Sequence, residues 1–201
     1  MRILAFSDLH RDRRQALRLV EMSTDADVVI GAGDFASVHK GLENTIDALS
    51  AIETPTVLVP GNNETSGALR EATAGWEAAT VLHGEETEIG GEQFVGLGGG
   101  IPVTPWDWSY DLSDDEATTA LAEFDEADVL VLHSPPHGHC DVAGNGMNLG
   151  SEALAAAVER LQPELAVCGH IHESWGARSR IGDTEVANLG PDGVFFNSEG
   201  G

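Results

Sequence analysis

Short apolar runs alternate with amphipathic patterns in the first third of the chain. The pattern predicts strands at residues 2–6, 27–30 and 56–59, and helices at residues 13–22 and 41–52. A β-α-β-α-β order is typical of a mostly parallel sheet that helices cover. The first third of the chain therefore predicts an α/β fold.

The remaining two thirds continue the alternation with shorter elements. A capping-box pattern at Ser113 and Glu116 predicts a helix that runs to Phe124, and a second helix is predicted at residues 151–161. Further strands are predicted at 80–82, 93–97, 129–132, 165–167, 177–181, 184–189 and 194–196. Because no linker, internal repeat or low-complexity tract interrupts the pattern, we expect residues 1–201 to form a single domain.

The charge balance changes the set of partners to expect. The chain has 34 Asp plus Glu against 10 Lys plus Arg, a formal net charge of -24. Such a surface repels phosphate backbones, so a nucleic-acid polymer is not an expected partner. Because molar salt screens the self-repulsion, the balance is typical of a halophilic protein, the alternative being an acidic mesophilic one.

Features that would place the chain in a membrane or outside the cell are lacking. No run of 18 apolar residues occurs, and charged residues interrupt the N-terminus too early for a signal peptide. Cys140 and Cys168 are too few for a disulfide framework, so we expect two thiols. We expect a cytoplasmic protein with no membrane partner.

Polar side chains follow five of the strand-like runs. They are Asp8 and His10, Asp34, Asn62, His133, and His170 with His172. Each has an ordinary structural role when taken alone, as a turn residue or a hydrogen-bonded histidine. In open α/β sheets, however, ligands bind beyond the carboxyl ends of the strands, where these side chains would converge. Oxygen and imidazole donors suit Mn²⁺, Fe²⁺, Zn²⁺ or Ni²⁺, and seven groups are enough for two ions that share a carboxylate.

The motifs that carry these residues resemble one family as an ordered series. "DLH", "GD", "GNNE", "LHSPP" and "GHIH" are similar to the motifs of the calcineurin-like metallophosphoesterases, and the resemblance spans Asp8 to His172. Their spacing is most similar to that of small archaeal phosphoesterases related to a cyclic-nucleotide phosphodiesterase. The resemblance implies two stacked mixed β-sheets flanked by helices, a four-layer sandwich.

The resemblance also implies a mechanism and a set of metal ligands. Asp8, His10 and His172 would hold one ion, Asn62, His133 and His170 a second, and Asp34 would bridge both. A hydroxide between two divalent ions, Mn²⁺ foremost, would attack phosphorus, with a small phosphodiester rather than a monoester as the expected substrate. The alternatives are a non-catalytic metal-binding scaffold of the same fold and a nuclease.

The sequence departs from the family pattern at Asn63. The family usually has a histidine there, which protonates the leaving oxygen, whereas an amide cannot deliver a proton at neutral pH. Either His137 or His139 could replace the missing acid, although both could equally be exposed loop residues. Glu64 is expected to orient its neighbours rather than to bind metal.

An aromatic stretch at residues 104–111 contains Trp106 and Trp108. These rings could stack on a base or on an aryl leaving group of the substrate, although a lid or a dimer contact explains them equally well. His39 and His83 are expected on the surface.

Overall fold

Eleven strands form two sheets in the computed structural model, which describes residues 1–198. The strands are β1 Arg2–Phe6, β2 Val28–Gly31, β3 Thr56–Leu58, β4 Ala79–Val81, β5 Glu85–Ile89, β6 Glu92–Leu97, β7 Val129–Leu132, β8 Leu165–Cys168, β9 Arg178–Ile181, β10 Thr184–Asn188 and β11 Val194–Asn197. The first sheet has the order β11-β1-β2-β3-β4, and the second has the order β5-β6-β7-β8-β10-β9.

Parallel pairing dominates the interior of both sheets. Strands β1 to β4 pair in parallel, and so do β6, β7, β8 and β10. Three of the four edge strands are antiparallel to their neighbours: β11 pairs with β1, β5 with β6 and β9 with β10, whereas β4 pairs with β3 in parallel. The carboxyl ends of the parallel strands in each sheet therefore lie on the same side of that sheet.

Five α-helices cover the outer faces of the sheets. They are α1 Arg13–Ser23, α2 Leu42–Leu49, α3 Ser66–Thr73, α4 Asp114–Leu121 and α5 Glu152–Leu161. Side-chain caps begin most of them: Asp12, Thr65, Ser113 and Ser151 each accept a backbone N–H from the first turn. Within residues 1–198, no helix has the length and hydropathy that a bilayer span requires.

The apolar core lies in three layers. One packs the first sheet against α1, α2 and α3, and a second packs the other sheet against α4 and α5. The third lies between the sheets and contains Ile3, Ile30, Val57, Phe94 and Val131. Because strands buried on both faces read as continuous apolar runs, this arrangement explains the runs in the sequence. The predicted α/β fold, two stacked mixed sheets flanked by helices, is confirmed.

Several element predictions differ from the structure. Helix α3 and strand β5 were not predicted, and α4 ends at Leu121 rather than at Phe124. Strand β5 contains three glutamates and has no apolar run, but it pairs with β6 after a Gly90–Gly91 turn. The predicted domain boundaries, 1–201, include residues 199–201, which lie outside the described part of the chain.

Candidate metal centre

The seven residues predicted to bind metal lie at the carboxyl ends of five strands. Asp8 and His10 follow β1, Asp34 follows β2, Asn62 follows β3, His133 follows β7, and His170 and His172 follow β8. Because both sheets present the ends of their parallel strands on the same side, residues more than 100 positions apart meet there. The predicted convergence is what the structure has.

Asp8, His10 and His172 form one cluster of candidate ligands. Their ligand atoms all lie within 4.8 Å of one another. The Nε2 atoms of His10 and His172 are 3.1 Å apart, and they lie 3.9 and 3.6 Å from Asp8 Oδ1. Two imidazole nitrogens and a carboxylate oxygen thus point at a common position.

Asp34, His133 and His170 form a second cluster with ligand atoms within the same 4.8 Å limit. The amide oxygen of Asn62 adjoins it, 3.4 Å from His133 Nε2. Carboxylate, amide and imidazole donors without thiolate are a set that divalent transition metals accept. The two clusters therefore make two candidate metal sites.

Asp34 lies between the clusters and faces both. Its Oδ2 atom is 3.5 Å from His10 Nε2 in the first cluster, and its Oδ1 atom is 3.5 Å from His133 Nε2 in the second. The carboxylate is buried, so its orientation is set by protein neighbours rather than by solvent. One oxygen is thus directed to each site.

Backbone carbonyls fix the orientation of two of the histidines. Nδ1 of His10 donates to the carbonyl of Ala36 at 3.2 Å, and Nδ1 of His133 donates to that of Ala32 at 2.8 Å. With the proton on Nδ1, each ring keeps the Nε2 lone pair for a ligand inside the cluster. Both tautomers therefore suit metal binding.

The backbone is strained at four of the candidate ligands. Asp8, His10, Asp34 and His170 have φ values of 55°, 45°, 60° and 67°. Residues other than glycine rarely adopt this left-handed backbone conformation, and each one that does costs about 1–3 kcal/mol of folding free energy. Backbone hydrogen bonds between the loops that follow β1 and β2 hold the conformation, including Asp8 N–H to Gly33 O and His10 N–H to Asp34 O, both 2.9 Å. Strain concentrated on these residues indicates a functional constraint.

Glycines next to the ligands make room for the carboxylates. A Cβ on Gly61 would lie 2.0 Å from Asp34 Oδ1, and a Cβ on Gly169 would lie 2.4 Å from Asp8 Oδ2. Neither distance is compatible with a side chain. The glycines of "GNNE" and "GHIH" are therefore required by the close approach of the two carboxylates.

The pKa values of Asp34 and Asp8 are shifted in opposite directions from the ordinary value of an aspartate. Burial raises the pKa of Asp34 to about 8, and the negative charge of Asp8 adds to this. Burial also acts upward on Asp8, but hydrogen bonds from His172 and Ser7 outweigh it and lower the pKa to about 2. Burial likewise lowers the pKa of His170 to about 3, which keeps the imidazole neutral. A divalent cation would supply the positive charge that the pair lacks, so the residues fit such an ion.

Comparison with known sequences identifies the family. The profile of the calcineurin-like phosphoesterase superfamily domain matches residues 1–197. The chain belongs to this superfamily. Its members depend on divalent metal ions, in agreement with the two candidate sites.

Relatives in two animals share parts of the chain. Protein T07D4.2 of Caenorhabditis elegans is 37% identical over 81 residues, which are 36% of this chain and 20% of that protein. Human metallophosphoesterase domain-containing protein 1 is 35% identical over 83 residues, 38% of this chain and 26% of its own length. The matches thus span about a fifth to a quarter of each relative.

Solved structures share the fold at low sequence identity. TT1561 of Thermus thermophilus superposes with a TM-score of 0.76 at 17% identity, over 95% of this chain and 90% of that one. A dimetal phosphatase from Danio rerio superposes with a TM-score of 0.62 at 13% identity, over 95% and 88%. These similarities confirm the two-sheet fold.

Asn63, the departure from the phosphoesterase pattern, contacts Asp34. Its Nδ2 atom donates to Asp34 Oδ2 at 2.7 Å, its backbone N–H donates to Asp34 Oδ1 at 2.9 Å, and its Oδ1 accepts from Val38 N–H. Glu64 accepts backbone N–H groups of Asp34, Ala36 and Gly61. Glu64 is therefore an orienting residue, as expected, and Asn63 anchors the carboxylate that faces both clusters.

The structure does not bring His137 or His139 to the two candidate metal clusters. His137 Nδ1 donates to the carbonyl of Gly150 at 3.3 Å, and His139 Nδ1 contacts Ser179 Oγ at 3.0 Å. Neither ring lines the cleft over the metal clusters. The reason is the "SPPHGH" loop, which turns towards α5 and β9 and carries both rings away from the strand ends. This geometry argues against either histidine as the acid that protonates the leaving oxygen.

One of the two histidines predicted on the surface is not there. His83 is half-buried: Nδ1 accepts from Gly98 N–H at 3.3 Å, and Nε2 contacts Tyr110 Oη at 3.0 Å. Burial lowers its pKa. His39 is exposed as expected, but its Nε2 donates to the carbonyl of Trp108. His39 thus contacts the aromatic stretch.

Trp106 and Trp108 line the cleft over the clusters, as the first of their predicted roles requires. Their rings stack on each other, with centroids 5.6 Å apart and planes 12° from parallel. One face of each ring is therefore already covered by the other ring.

Two residues that hold Asn62 were not predicted from the sequence. Asn62 Nδ2 donates to Ser109 Oγ at 2.8 Å, and Ser109 Oγ donates to Asp111 Oδ1 at 2.6 Å. With its nitrogen held in this way, the Asn62 oxygen is directed at the second cluster. Both residues lie in the aromatic stretch "TPWDWSYD", in which a role was predicted only for the aromatic side chains.

Proposed function

We propose that this protein is a dinuclear metal-dependent phosphoesterase that hydrolyses phosphodiesters. The observation that most supports this is the position of Asp34, whose two oxygens lie 3.5 Å from a histidine of each cluster. Two ions about 3.5–4 Å apart that share a carboxylate are a recurring arrangement in phosphoester hydrolysis.

In this proposal each cluster holds one ion. Asp8, His10 and His172 hold the first, Asn62, His133 and His170 hold the second, and Asp34 is shared. Bound divalent ions supply a nucleophile at neutral pH and withdraw negative charge from the phosphoryl oxygens. We propose Mn²⁺ as the first choice and Fe²⁺, Zn²⁺ or Ni²⁺ as alternatives, because the donors are oxygen and imidazole only.

The protein's own residues contribute by holding these groups in place beforehand. The carbonyls of Ala36 and Ala32 fix His10 and His133, and Asn63 fixes Asp34. Such preorganisation lowers the cost of reaching the transition state. Because the amide of Asn63 cannot protonate a leaving oxygen, we propose leaving groups that depart as stable anions.

Charge supports a diester over a monoester. Among residues 1–198, those that line the cleft include no lysine or arginine, and Glu173 adds a carboxylate. A monoester near neutral pH carries close to two negative charges and a diester carries one. The diester therefore demands less cationic charge beyond the ions themselves.

Metal analysis combined with two substrates tests the proposal. We expect close to two transition-metal ions per chain, and faster hydrolysis of bis(nitrophenyl) phosphate than of nitrophenyl phosphate with Mn²⁺. Asp34→Ala should abolish both properties, whereas Asp47→Ala, a change at an exposed aspartate of α2, should preserve them. A folded protein that takes up no metal would end the phosphoesterase proposal, and a faster monoester would end only its diester part.

We also propose that the protein works in a halophilic cytoplasm. The net charge of -24 and the free thiols Cys140 and Cys168 support this, because salt screens the charge and a reducing compartment preserves thiols. Cell fractionation of the source organism would test the compartment, and recovery outside the cytoplasm would overturn it.

A further inference from the structure

An apolar wall stands beside the metal clusters in the same cleft. The cleft has a volume of about 560 Å³ and contains His10, Asp34 and His172 at one end. Apart from the candidate ligands, Asn63, Thr104 and Glu173, the lining is apolar or aromatic, and we define the apolar wall as Ile101, Val103, Pro105, Trp106, Ala143 and Leu149. Clefts of about 300–1,000 Å³ hold drug-sized ligands, so there is room for more than a phosphate.

Hydrogen bonds hold the loop that carries the first part of the wall. Thr104 donates through its N–H and its Oγ1 to Asp111 Oδ2, both at 2.8 Å, and His39 donates to the carbonyl of Trp108. Asn62 Nδ2 donates to Ser109 Oγ in the same loop. The wall on this side is therefore tied to the metal cluster.

A hairpin carries the second part of the wall. Val142 and Asn148 pair in an antiparallel bridge, and Leu149 N–H donates to Asp141 O at 3.1 Å. Ser174 Oγ, two residues after His172, donates to Val142 O at 2.9 Å. This side too is fixed to a segment that carries a candidate ligand.

The exposure of these side chains is unusual for so acidic a chain. In the described residues, eight large apolar side chains are exposed, and five of them lie on the two loops: Val103, Trp106, Val142, Met147 and Leu149. Of the five, Val103, Trp106 and Leu149 line the same cleft as the candidate ligands. Apolar side chains that stay exposed to water side by side mark a binding surface, and the substrate is the occupant that reaches both the wall and the proposed metal centre.

We propose that the substrate is a phosphoester with an extended apolar group that lies along the apolar wall while its phosphate binds at the metal clusters. This inference rests on the proposed phosphoesterase function. The wall attracts apolar surface, and the low count of cationic side chains in the cleft leaves the phosphate to the ions. The same features disfavour polyanionic substrates such as nucleoside polyphosphates.

Binding of alkylphosphonates to the Mn²⁺-loaded protein tests the inference without turnover. In a series from methyl- to octylphosphonate, we expect the Kd measured by calorimetry to fall about two- to fourfold for each added methylene that reaches the wall. The heat-capacity change of binding should become more negative along the series, because apolar surface is buried.

A matched pair of variants locates the effect. Leu149 on the wall and Leu17 on α1 are exposed to 42% and 49%. Leu149→Ser should raise the Kd of octylphosphonate about fivefold or more and leave that of methylphosphonate unchanged, since only the long chain reaches the wall. Leu17→Ser should change neither.

The outcomes separate this inference from the proposed function. If methylphosphonate binds and bis(nitrophenyl) phosphate is hydrolysed, but affinity does not depend on chain length, the wall does not hold substrate and only this inference fails. If neither binding nor hydrolysis occurs with metal loaded, both fail. Two further results would also overturn it: a dimer in sedimentation that Leu149→Ser alone dissociates, or binding to lipid vesicles that Leu149→Ser alone abolishes.

Discussion

Replacing Gly61 by alanine should disrupt the proposed metal centre although no candidate ligand is itself substituted. The new Cβ would lie 2.0 Å from Asp34 Oδ1 and 2.2 Å from the Asp34 backbone nitrogen, whereas ordinary contact begins at 3.4 Å. The nitrogen would therefore have to retreat by about 1 Å, and metal–ligand distances tolerate only about ±0.2 Å.

The displacement cannot be absorbed locally. Asp34 N–H donates to Glu64 Oε1 at 2.8 Å, and Asp34 O accepts from His10 N–H at 2.9 Å. A shift of Asp34 therefore moves a ligand of the other cluster as well. Changes to groups that only support a ligand cost about 10–100-fold in metal affinity, so moving the shared carboxylate should cost about 100-fold or more for both ions.

Stability should suffer less than metal binding. Overpacking typically costs about 1–3 kcal/mol, and a domain of this size loses about 2–4 °C in Tm per kcal/mol, so we expect Tm to fall by about 2–12 °C. Calorimetric titration with Mn²⁺ measures the affinity and stoichiometry, and differential scanning calorimetry measures Tm, both in high KCl.

Gly67→Ala is the matched control. A Cβ on Gly67, in α3 six positions further on, would have Thr65 Oγ1 as its nearest neighbour at 4.0 Å. Alanine in a helix is more favourable than glycine by about 0.5–1 kcal/mol, so this variant should be as stable as the wild type or more so, with unchanged metal binding. A folded Gly61→Ala protein that binds two Mn²⁺ ions within twofold of the wild-type affinity would refute the argument.

Three further predictions follow from individual contacts and from the charge. Ser109→Ala removes the bond that holds the Asn62 amide, so one ion should bind about 10–100-fold more weakly while the other is unaffected; two ions of unchanged affinity in a calorimetric titration would contradict this. Asn63→His restores a proton donor, which typically contributes about 10²–10⁴-fold, so steady-state assays should show a larger gain for alkyl than for nitrophenyl diesters, and equal gains would count against a missing acid. With a net charge of -24, Tm measured by circular dichroism should rise strongly with KCl, because the Debye length falls from about 10 Å at 0.1 M to about 3 Å at 1 M; a flat profile would refute the halophilic proposal alone.

The sequence predicted which residues meet at the strand ends better than it predicted the residues that hold them in place. The candidate ligands follow buried strands, and an apolar run that ends in Asp, Asn or His is visible in a single sequence. Ser109, Asp111 and the hairpin around Leu149 escaped, because their importance comes from the partners that they contact. His137 and His139 were predicted as possible acids for the opposite reason. Their residue type is suitable, but their loop directs both rings away from the metal clusters.

Element predictions followed the same division. Strands buried on both faces were found because a continuous apolar run is visible in neighbouring residues, whereas β5 is a strand only because β6 lies beside it. Helix α3 is one of the shortest, with eight residues, and its apolar face is too brief to stand out from the loop before it.

The sequence by itself determined the α/β class, the order of the motifs and the residue types at the strand ends, because side-chain chemistry and short-range periodicity are properties of neighbouring residues. The tertiary structure decided which atoms face one another. It directed the two oxygens of Asp34 to different clusters, tied Asn63 to that carboxylate across 29 positions, and set an apolar wall beside the centre. These relations depend on how the two sheets stack and how loops from different strands pack. Distances between residues so far apart in the sequence are therefore set only when the whole core is packed.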